Sequence, residues 1–547
     1  MRRLILGILT VIVLIFSVGP ALLNSLTEPQ ITNQLELYQS ELFLQARELE
    51  TGEGSDMEAA SAILGDSTSL VAIANTYAET RQSVQQQVER LEAQLKQVEN
   101  EALAVDLTAG SSLTTAQSVQ QLATQLGEQR QLSETLGIQL GILDAVQGNE
   151  EGAIATWQTI PQDSPSNANA SNANAAGSDG DSESSALVQN RGLTAQVLMG
   201  IWSDPPRILP DAEPQLRATL DGWFLNRSLE RLYELQQRPD ALQELQTREQ
   251  AIAQQTVVKL GLLGTGPALG CLVGATLFIV LIAQRLLKGK DSLLAESGDL
   301  SWETPWPWDI TWQVLLVGFF FLGQIILPIT VGLGRALLLQ SLANQGLGLN
   351  LAEGRITAIS TAIVYLLMSV GALTVLYYSI KPYLPLSEDW FRLSLKGKWP
   401  LWGVGGYLVA VPLVIGVSLV NQQFWQGRGG SNPLLEIVLN EGDTVALGIF
   451  FFTAAIAAPI FEEILFRGFL LPSLTRYMPV WGAIGLSAII FATAHLSFSE
   501  VLPLAVLGVV LGFVYTRSRN LLASMLVHSL WNSATMVGLL ILGSGID

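Results

Sequence analysis

Apolar runs long enough to cross a lipid bilayer recur along this chain. A transmembrane helix needs about 20 consecutive apolar residues. One run extends from Leu4 to about Leu23, behind the basic start Met1-Arg2-Arg3, and eight more follow residue 256. The chain is therefore predicted to be an all-α, polytopic membrane protein with an N-terminal anchor and about eight further spans. The eight spans are predicted near residues 260–283, 309–332, 356–379, 400–420, 444–473, 480–497, 501–516 and 520–542.

The first apolar run, in residues 1–27, has two interpretations. A basic start followed by an apolar stretch is typical of a secretory signal peptide and also of an uncleaved anchor. The run from Leu4 to Leu23 has no clear small-x-small cleavage site, which favours the anchor. In both cases the chain after Glu28 is expected outside the cytoplasm.

Negative charge is concentrated in the first half of the chain. The net charge is −19, yet the part from Lys259 to the C-terminus holds 15 acidic and 15 basic residues. We therefore expect an acidic, water-exposed domain, residues 28–256, joined to a neutral membrane domain. This distribution argues against nucleic-acid binding, which requires clustered Lys and Arg. The single cysteine, Cys271, excludes an intrachain disulfide.

The acidic domain is predicted to be mostly helical. Apolar residues recur in it at heptad-like spacings of three and four, which predict one long helix that packs on a partner helix. The partner is either a second helix of the same chain, in a hairpin, or another chain, in an intermolecular coiled coil; the hairpin is favoured. A final long helix is expected from about Pro214 to Gln255. The heptad-like positions are Tyr77, Val84, Val88, Leu91, Leu95, Val98, Ala102 and Val105.

One unit that resembles a tetratricopeptide repeat (TPR) lies inside this domain. In it, glycines permit a close approach of two helices, and Ala153 and Trp157 are expected to fill the seam. Because a single unit does not bury its own faces, a chance resemblance is the alternative to a partly TPR-like domain. Residues 161–185, rich in Ser, Asn, Ala, Gly and Asp, are predicted to be a disordered loop. The repeat-like positions are Leu140, Gly141, Gly148, Ala153, Trp157 and Pro165.

Basic residues predict the orientation of the spans. With the N-terminus in the cytoplasm, thirteen Lys and Arg residues fall on or near the cytoplasmic side and three fall in short outer loops, as the positive-inside rule requires. Residues 28–256 are then extracytoplasmic or lumenal. The inner residues are Arg2, Arg3, Arg285, Lys288, Lys290, Lys381, Arg392, Lys396, Lys398, Arg467, Arg476, Arg517 and Arg519, and the outer ones are Arg335, Arg355 and Arg428.

Ionisable residues are concentrated in the last membrane segments. The chain has two histidines, His495 and His528, and both lie there beside the paired carboxylates Glu462-Glu463. Ionisable residues inside a membrane are costly and mark functional sites. At about 1.5 Å per helical residue, three separate segments place Glu462, the two histidines and Asn532 roughly 14–21 Å from the inner membrane surface. Such a common depth predicts one shared site.

These side chains are the parts needed to hydrolyse an amide bond. A glutamate near an imidazole can hold and deprotonate a water molecule. A second imidazole and an amide can donate hydrogen bonds to an oxyanion. The sequence contains no Gly-x-Ser-x-Gly elbow, so a serine nucleophile is not indicated.

Three motifs carry a family resemblance. They resemble, in order, those of the CAAX-protease and bacteriocin-processing family of intramembrane endopeptidases, which includes the Ras-converting CAAX endopeptidase. The resemblance covers about residues 400–542, so residues 400–547 are expected to form the protease core and residues 257–399 the leading transmembrane helices. The motifs are Glu462-Glu463-x-x-x-Arg467, Phe491-x-x-x-His495 and His528-x-x-x-Asn532.

The resemblance implies a role for each catalytic position. Glu462 is expected to activate the attacking water, with the assistance of His495. His528 and Asn532 are expected to form the oxyanion hole. The resemblance thus implies a glutamate mechanism without a covalent intermediate.

Three further motif residues are expected to support the site. Glu463 and Arg467 are four positions apart on one helix, so they can pair and offset each other's burial. Phe491 lies one turn before His495 and is expected to pack under it.

A metal ion is the alternative to the metal-free mechanism. Members of the family have been described as metalloproteases, although this chain has no His-Glu-x-x-His. Glu462, His495 and His528 would supply the three protein ligands that a catalytic zinc site uses. No cofactor is favoured, and zinc remains the alternative.

Two functions from different classes agree with these features. The first is an intramembrane endopeptidase that acts on a membrane-associated or CAAX-like peptide substrate. The second is a catalytically silent membrane interaction or immunity protein whose residues 28–256 bind a protein partner. A transporter is less favoured, because no inverted repeat and no paired broken helices are evident. The expected surroundings are the lipid bilayer and a peptide or protein substrate, with no nucleic acid.

Overall fold

The computed structural model describes residues 1–26, 28, 30–49, 69–105, 112–161, 190–295, 300–344 and 353–543. Within these ranges every regular element is a helix, which confirms the all-α prediction. The chain divides into two units: a membrane unit of Met1–Gln34 with Leu262–Ser544, and a helical unit of Leu35–Gly261. Pro165 and nearly all of the predicted loop 161–185 lie outside the described residues.

The helices are numbered in chain order. The first nine are α1 (Arg2–Ser25), α2 (Ile31–Arg47), α3 (Leu70–Val105), α4 (Ser112–Val146), α5 (Glu150–Gln158), α6 (Arg191–Ile201), α7 (Ala212–Thr219), α8 (Gly222–Leu235) and α9 (Pro239–Lys288). The others are α10 (Trp308–Arg335), α11 (Gly354–Tyr383), α12 (Trp399–Trp425), α13 (Pro433–Leu439), α14 (Thr444–Leu474), α15 (Val480–Thr493), α16 (Phe498–Ser518) and α17 (Leu521–Gly543).

In the helical unit, the partner of the heptad-patterned helix α3 belongs to the same chain. The helix packs along α4, with an ion pair between Arg130 and Glu92 at 2.6 Å. Tyr77 and Val84, two of the heptad-like positions, are buried. The structure therefore shows the intrachain helical hairpin.

The repeat-like segment forms a helix–turn–helix between α4 and α5. Gly148 provides the turn with a left-handed φ of +84°, a conformation that glycine adopts without steric cost. Trp157 and Ala153 are fully buried in the seam, and Trp157 Nε1 donates to Ile138 O at 3.1 Å. The Trp157 ring fills the space where Gly141 would carry a Cβ. Whether the unit is a tetratricopeptide repeat remains a prediction.

The prediction of one long helix from Pro214 to Gln255 was wrong. The chain forms α7, α8 and the start of α9 instead, with breaks at Gly222 (φ +51°) and Gln237 (φ +53°). The next helix begins at Pro239, and proline favours the first turn of a helix. The breaks bring Trp223, Phe224 and other apolar residues of α8 into the core of the helical unit.

Eight described helices are long and apolar enough to cross a membrane, so the protein is an integral, multi-pass membrane protein. They are α1, α9, α10, α11, α12, α14, α16 and α17. The expectation was eight spans in addition to the N-terminal one. The difference is the predicted span 480–497, which forms the 14-residue helix α15 (Val480–Thr493). The chain leaves this helix at Ala494 and turns at Leu496, whose φ is +59°.

The core of the membrane unit surrounds α14. Phe466 and Phe469 of this helix are buried among aromatic side chains of the neighbouring segments. Beside it, Gly508 of α16 lies against Ala488 of α15, so closely that an added Cβ would be 2.9 Å from the alanine Cβ. Small residues permit such close approaches of membrane helices. This contact fixes the turn between α15 and α16, which carries His495.

Two stretches of α14 are π-helical, Thr453–Ala457 and Glu463–Leu470. Such wider turns are rare and occur frequently at functional sites, because they change the direction in which side chains point. Glu462 is the residue immediately before the second stretch. The two glutamates of the first motif therefore lie where α14 changes from α-helical to π-helical geometry.

Candidate active site

A cavity of about 980 Å³ in the membrane unit brings the three sequence motifs together. Its lining includes four of the predicted site residues: Glu462 from α14, His495 from the α15–α16 turn, and His528 and Asn532 from α17. Much of the remaining lining is apolar. The apolar residues include Phe319, Val364, Met368, Leu504, Leu507 and Trp531.

Glu462 is mostly buried, with 15% of its side chain exposed. Its Oε1 accepts a hydrogen bond from the Tyr365 hydroxyl at 2.9 Å. Its other oxygen, Oε2, lies 3.8 Å from His528 Nε2, which is too long for a direct hydrogen bond. The carboxylate is thus held on one side and open towards His528 on the other.

Glu463 is fully buried, and the side chains of Arg467 and His528 contact it. Arg467 Nη1 donates to its Oε1 at 2.8 Å, and His528 Nδ1 lies 3.0 Å from the same oxygen. Arg467 also donates to the carbonyl oxygen of Gly508 at 3.3 Å and lies over the ring of Phe491, 4.4 Å from its centroid. A buried charge of this kind is tolerated only when it is paired and hydrogen-bonded. The first motif is therefore tied to the other two.

The hydrogen bonds assign the proton positions on His528. A carboxylate only accepts, so Nδ1 of His528 carries a proton that it donates to Glu463. The opposite ring nitrogen, Nε2, then faces Glu462 across the 3.8 Å gap. One imidazole therefore connects the two adjacent glutamates.

His495 lies on the turn after α15, whereas the sequence placed it inside a span. Its Nδ1 is 3.0 Å from the carbonyl oxygen of Phe491, so this nitrogen donates and Nε2 remains free of that bond. The Phe491 ring lies 5.0 Å from the His495 ring and 5.7 Å from the His528 ring. Phe491 thus packs against both imidazoles.

Asn532 is oriented by the backbone of α14. Its Nδ2 donates to Ala454 O at 2.8 Å, within the first π-helical stretch. The amide group has a second N–H, and the residue lines the cavity. The side chain is therefore fixed at the level of the other predicted site residues.

Two ionisable residues of the cavity were missed in the sequence. Tyr365 lies on α11, outside the three motifs, and Glu500 lies in the first turn of α16. Glu500 Oε1 accepts from the backbone N–H of Asn432 at 2.7 Å. A tyrosine in the middle of an apolar span needs a partner for its hydroxyl, and this is the signal that could have identified Tyr365.

The N-terminal segment contributes one wall of the cavity. Gln30, Ile31 and Thr32 line it. The backbone N–H of Gln30 donates to Gly427 O at 2.9 Å, and Ile31 N donates to the hydroxyl of Ser431 at 3.0 Å. Residues far from the motifs in sequence therefore shape the space next to His495.

The start of α14 is anchored by Asp443, which lies outside the membrane-spanning helices. Its carboxylate accepts from the backbone N–H groups of Ala446 at 3.0 Å and Val445 at 2.9 Å, and Arg355 pairs with it at 2.7 Å. These contacts, the Ala446 N–H first among them, lower the pKa of Asp443. Such a cap fixes the end of the helix that carries Glu462.

In the zinc alternative, the ligands would be Glu462, His495 and His528. Each imidazole has its Nδ1 held by an oxygen and its Nε2 available, as in histidines that bind metals. However, no three His, Cys, Asp or Glu side chains converge to hold a metal ion in the part of the chain that the structure describes.

Residues 444–534 match the family model described as Type II CAAX prenyl endopeptidase Rce1-like. The match confirms the resemblance that the three motifs predicted, for this segment of the chain. It includes α14 to α16 and most of α17, and therefore all seven motif residues.

Two curated relatives are similar to part of the chain. "Putative membrane peptidase YdiL" of Bacillus subtilis (strain 168) is 24% identical over 137 residues, which are 25% of this chain and 55% of that protein. UPF0177 protein YxdF of Lactococcus lactis subsp. lactis (strain IL1403) is 35% identical over 75 residues, 14% of this chain and 41% of that protein. The chain thus spans about half the length of these relatives. No solved structure gives a significant match.

Proposed function

Starting from the match of residues 444–534 to the Rce1-like CAAX prenyl endopeptidase model, we propose that this protein is an intramembrane endopeptidase. It hydrolyses a peptide bond of a membrane-associated substrate with a water molecule that Glu462 activates. The main support is the Glu462–His528 pair, whose Oε2 and Nε2 lie 3.8 Å apart in a cavity shared with His495 and Asn532.

The reaction begins at the gap between Glu462 and His528. A separation of 3.8 Å is too long for a direct hydrogen bond, and a water molecule beside the gap would contact both atoms. Glu462 takes a proton from this water, and the hydroxide oxygen forms a bond to the carbonyl carbon of the substrate. When the C–N bond breaks, Glu462 returns the proton to the leaving amine.

The oxyanion that forms needs hydrogen-bond donors. Asn532 offers the amide N–H that is not bonded to Ala454. His528, whose Nε2 lies at the same gap, is the second donor to the oxyanion in this proposal. Such preorganised donors supply much of the rate enhancement in acyl transfer. His495 assists through its Nε2, the ring nitrogen that is not bonded to Phe491.

A peptide with apolar side chains is the substrate class that agrees with the apolar lining of the cavity. The family name points to CAAX-like, prenylated chains, and this is the finer proposal for the substrate. We further propose that the N-terminus is cytoplasmic, on the basis of the basic residues near the predicted inner ends of the spans. The acidic helical unit is then outside, where it binds a protein partner.

The test compares variants in liposomes with a quenched peptide library that includes CAAX-like members. Glu462→Gln is expected to lower the cleavage rate at least about 100-fold, because general-base catalysis is lost. His495→Ala is expected to lower it as well. The matched control is Glu388→Gln, which changes an exposed glutamate outside the cavity and should cleave like the wild type.

Identical products from all four proteins would refute the peptidase proposal. The catalytically silent interaction protein would then be the better account of this chain. In that case the acidic helical unit would be the part to use for partner capture.

A further inference from the structure

We propose that Tyr365 is a positioning residue of the active site, which holds the carboxylate of Glu462 in its reactive orientation. The inference rests on the proposed peptidase function and adds a residue that the three motifs do not contain. Tyr365 lies on α11, outside residues 444–534 that match the family model. Nothing in the spacing of the motifs points to it.

The contact that carries the inference joins two elements that are far apart in sequence. The hydroxyl of Tyr365 donates to Glu462 Oε1 at 2.9 Å, across 97 residues of chain. Both residues line the cavity that also contains the two histidines. Tyr365 is the hydrogen-bond donor found for Glu462 among the described residues.

The position of the tyrosine ring is itself fixed. The ring packs edge-on against Phe461, the neighbour of Glu462, with centroids 6.1 Å apart. One turn further along α11, the Ser369 hydroxyl donates to the backbone oxygen of Tyr365 at 2.8 Å. The hydroxyl group is therefore presented by a packed side chain and not by a mobile one.

This hydrogen bond determines which carboxylate oxygen of Glu462 is available to the attacking water. The terminal torsion of a glutamate side chain is soft, so an unheld carboxylate samples many orientations. With Oε1 bonded to Tyr365, Oε2 is directed towards His528 Nε2, the gap assigned above to the attacking water. Catalytic groups are effective only when supporting contacts hold them in the reactive geometry.

The role predicts a specific kinetic change. Tyr365→Phe removes one oxygen atom and keeps the ring that packs on Phe461. Hydrogen bonds to charged groups correspond to roughly a 10- to 100-fold effect. We expect kcat to fall by this factor with KM nearly unchanged, because the hydroxyl acts on Glu462 and not on the bound peptide.

The experiment uses the full-length protein in liposomes and a peptide that the wild type cleaves. Four proteins form a cycle: wild type, Tyr365→Phe, Glu462→Gln and the double variant. If Tyr365 acts through Glu462, its substitution lowers kcat in the wild-type background and has little effect on the residual rate of Glu462→Gln. Tyr377→Phe, which changes an exposed tyrosine of the same helix, is the control and should match the wild type.

The outcomes separate this inference from the proposed function. A Tyr365→Phe variant with the kcat of the wild type overturns the positioning role, as does an equal loss in both backgrounds. If Glu462→Gln cleaves as fast as the wild type, the peptidase proposal itself fails, whatever the tyrosine variant does. Unfolding temperatures of the four proteins, measured in parallel, show that the kinetic effect is not a loss of fold.

Discussion

His528 on α17 is hydrogen-bonded to Glu463 on α14, with 3.0 Å between Nδ1 and Oε1. The same glutamate oxygen accepts from Arg467 at 2.8 Å. Glu463 therefore links the first motif to the third. The two neighbouring carboxylates differ accordingly: Glu463 is enclosed, whereas Glu462 lines the cavity.

The first prediction is that substitutions of Glu463 and Glu462 have different effects on stability. Glu463→Gln should lower both stability and activity, because it removes the carboxylate that is ion-paired with the fully buried Arg467 guanidinium. Breaking a buried ion pair costs about 3–5 kcal/mol of unfolding free energy. Glu462→Gln should lower activity with little effect on stability. Thermal unfolding in detergent and peptide cleavage, measured on both variants, check the two halves of the prediction.

The control for this comparison is Arg467→Met, which removes the other member of the pair. It should destabilise the protein to a similar extent, since the Glu463 carboxylate is then left unpaired except for His528. If Glu463→Gln unfolds at the wild-type temperature, the contacts of Glu463 do not stabilise the fold, and its assignment as a structural residue is wrong.

The contacts within one helix could be predicted from the sequence, whereas those between distant helices could not. Glu463 and Arg467 are one helical turn apart, so their spacing alone predicts a pair. Tyr365 contacts Glu462 across two intervening helices, and no periodicity encodes that contact. Local patterns also missed the turn at Leu496, because a left-handed residue that is not Gly, Asn or Asp leaves no signal in the sequence.

The second prediction concerns the metal alternative. No three acidic, thiol or imidazole side chains of the described residues are arranged to hold a metal ion, and we expect cleavage to survive a zinc chelator. The measurement is the rate of peptide cleavage in liposomes before and after dialysis against the chelator. Loss of the rate, followed by recovery on addition of Zn²⁺, would contradict the metal-free mechanism and favour the zinc alternative.

The third prediction concerns the seam between α4 and α5 in the helical unit. Gly141→Ala would place a methyl group in the space that the Trp157 ring fills. Overpacking of a filled core costs about 1–3 kcal/mol. We expect faster hydrogen exchange of the α4–α5 backbone amides in the full-length variant.

Gly127→Ala is the matched control for this substitution. Gly127 is also on α4, and a Cβ added there would meet nothing within 4 Å. Alanine has the higher helix propensity, so this variant should be as stable as the wild type or slightly more so. Equal exchange rates for both variants would mean that α4 and α5 accommodate the added methyl group without a loss of stability.

The fourth prediction is a pH dependence of the helical unit, which originates at Glu41. This residue is 8% exposed, and its Oε1 is buried without a hydrogen-bond partner among the described residues. Burial, followed by the nearby Asp221 carboxylate, raises the pKa of Glu41 to about 7 from 4.5. Hydrogen bonds from the Trp223 backbone and the Gln45 side chain act in the opposite direction but do not outweigh burial. The other titratable groups that interact with Glu41 are Tyr38 and Tyr77, and no cation is among the described groups that shift its pKa.

The sign follows from proton linkage. The folded pKa lies above the unfolded one, so the folded state binds more protons between about pH 4.5 and 7. The stabilisation is complete below pH 4.5 and is lost as the pH rises through 7. The two pKa values correspond to about 3 kcal/mol of unfolding free energy for a fully buried group.

Hydrogen exchange of α2 and α8 in the full-length protein, followed from pH 5 to 8, measures this loss. Glu41→Gln removes the titrating group, so its local stability should change less across this range than that of the wild type. Glu89→Gln, at an exposed position of α3, should keep the wild-type profile. A wild-type profile that stays flat after correction for the intrinsic exchange rate would contradict the prediction, because a buried carboxyl group of raised pKa must release its proton within this window.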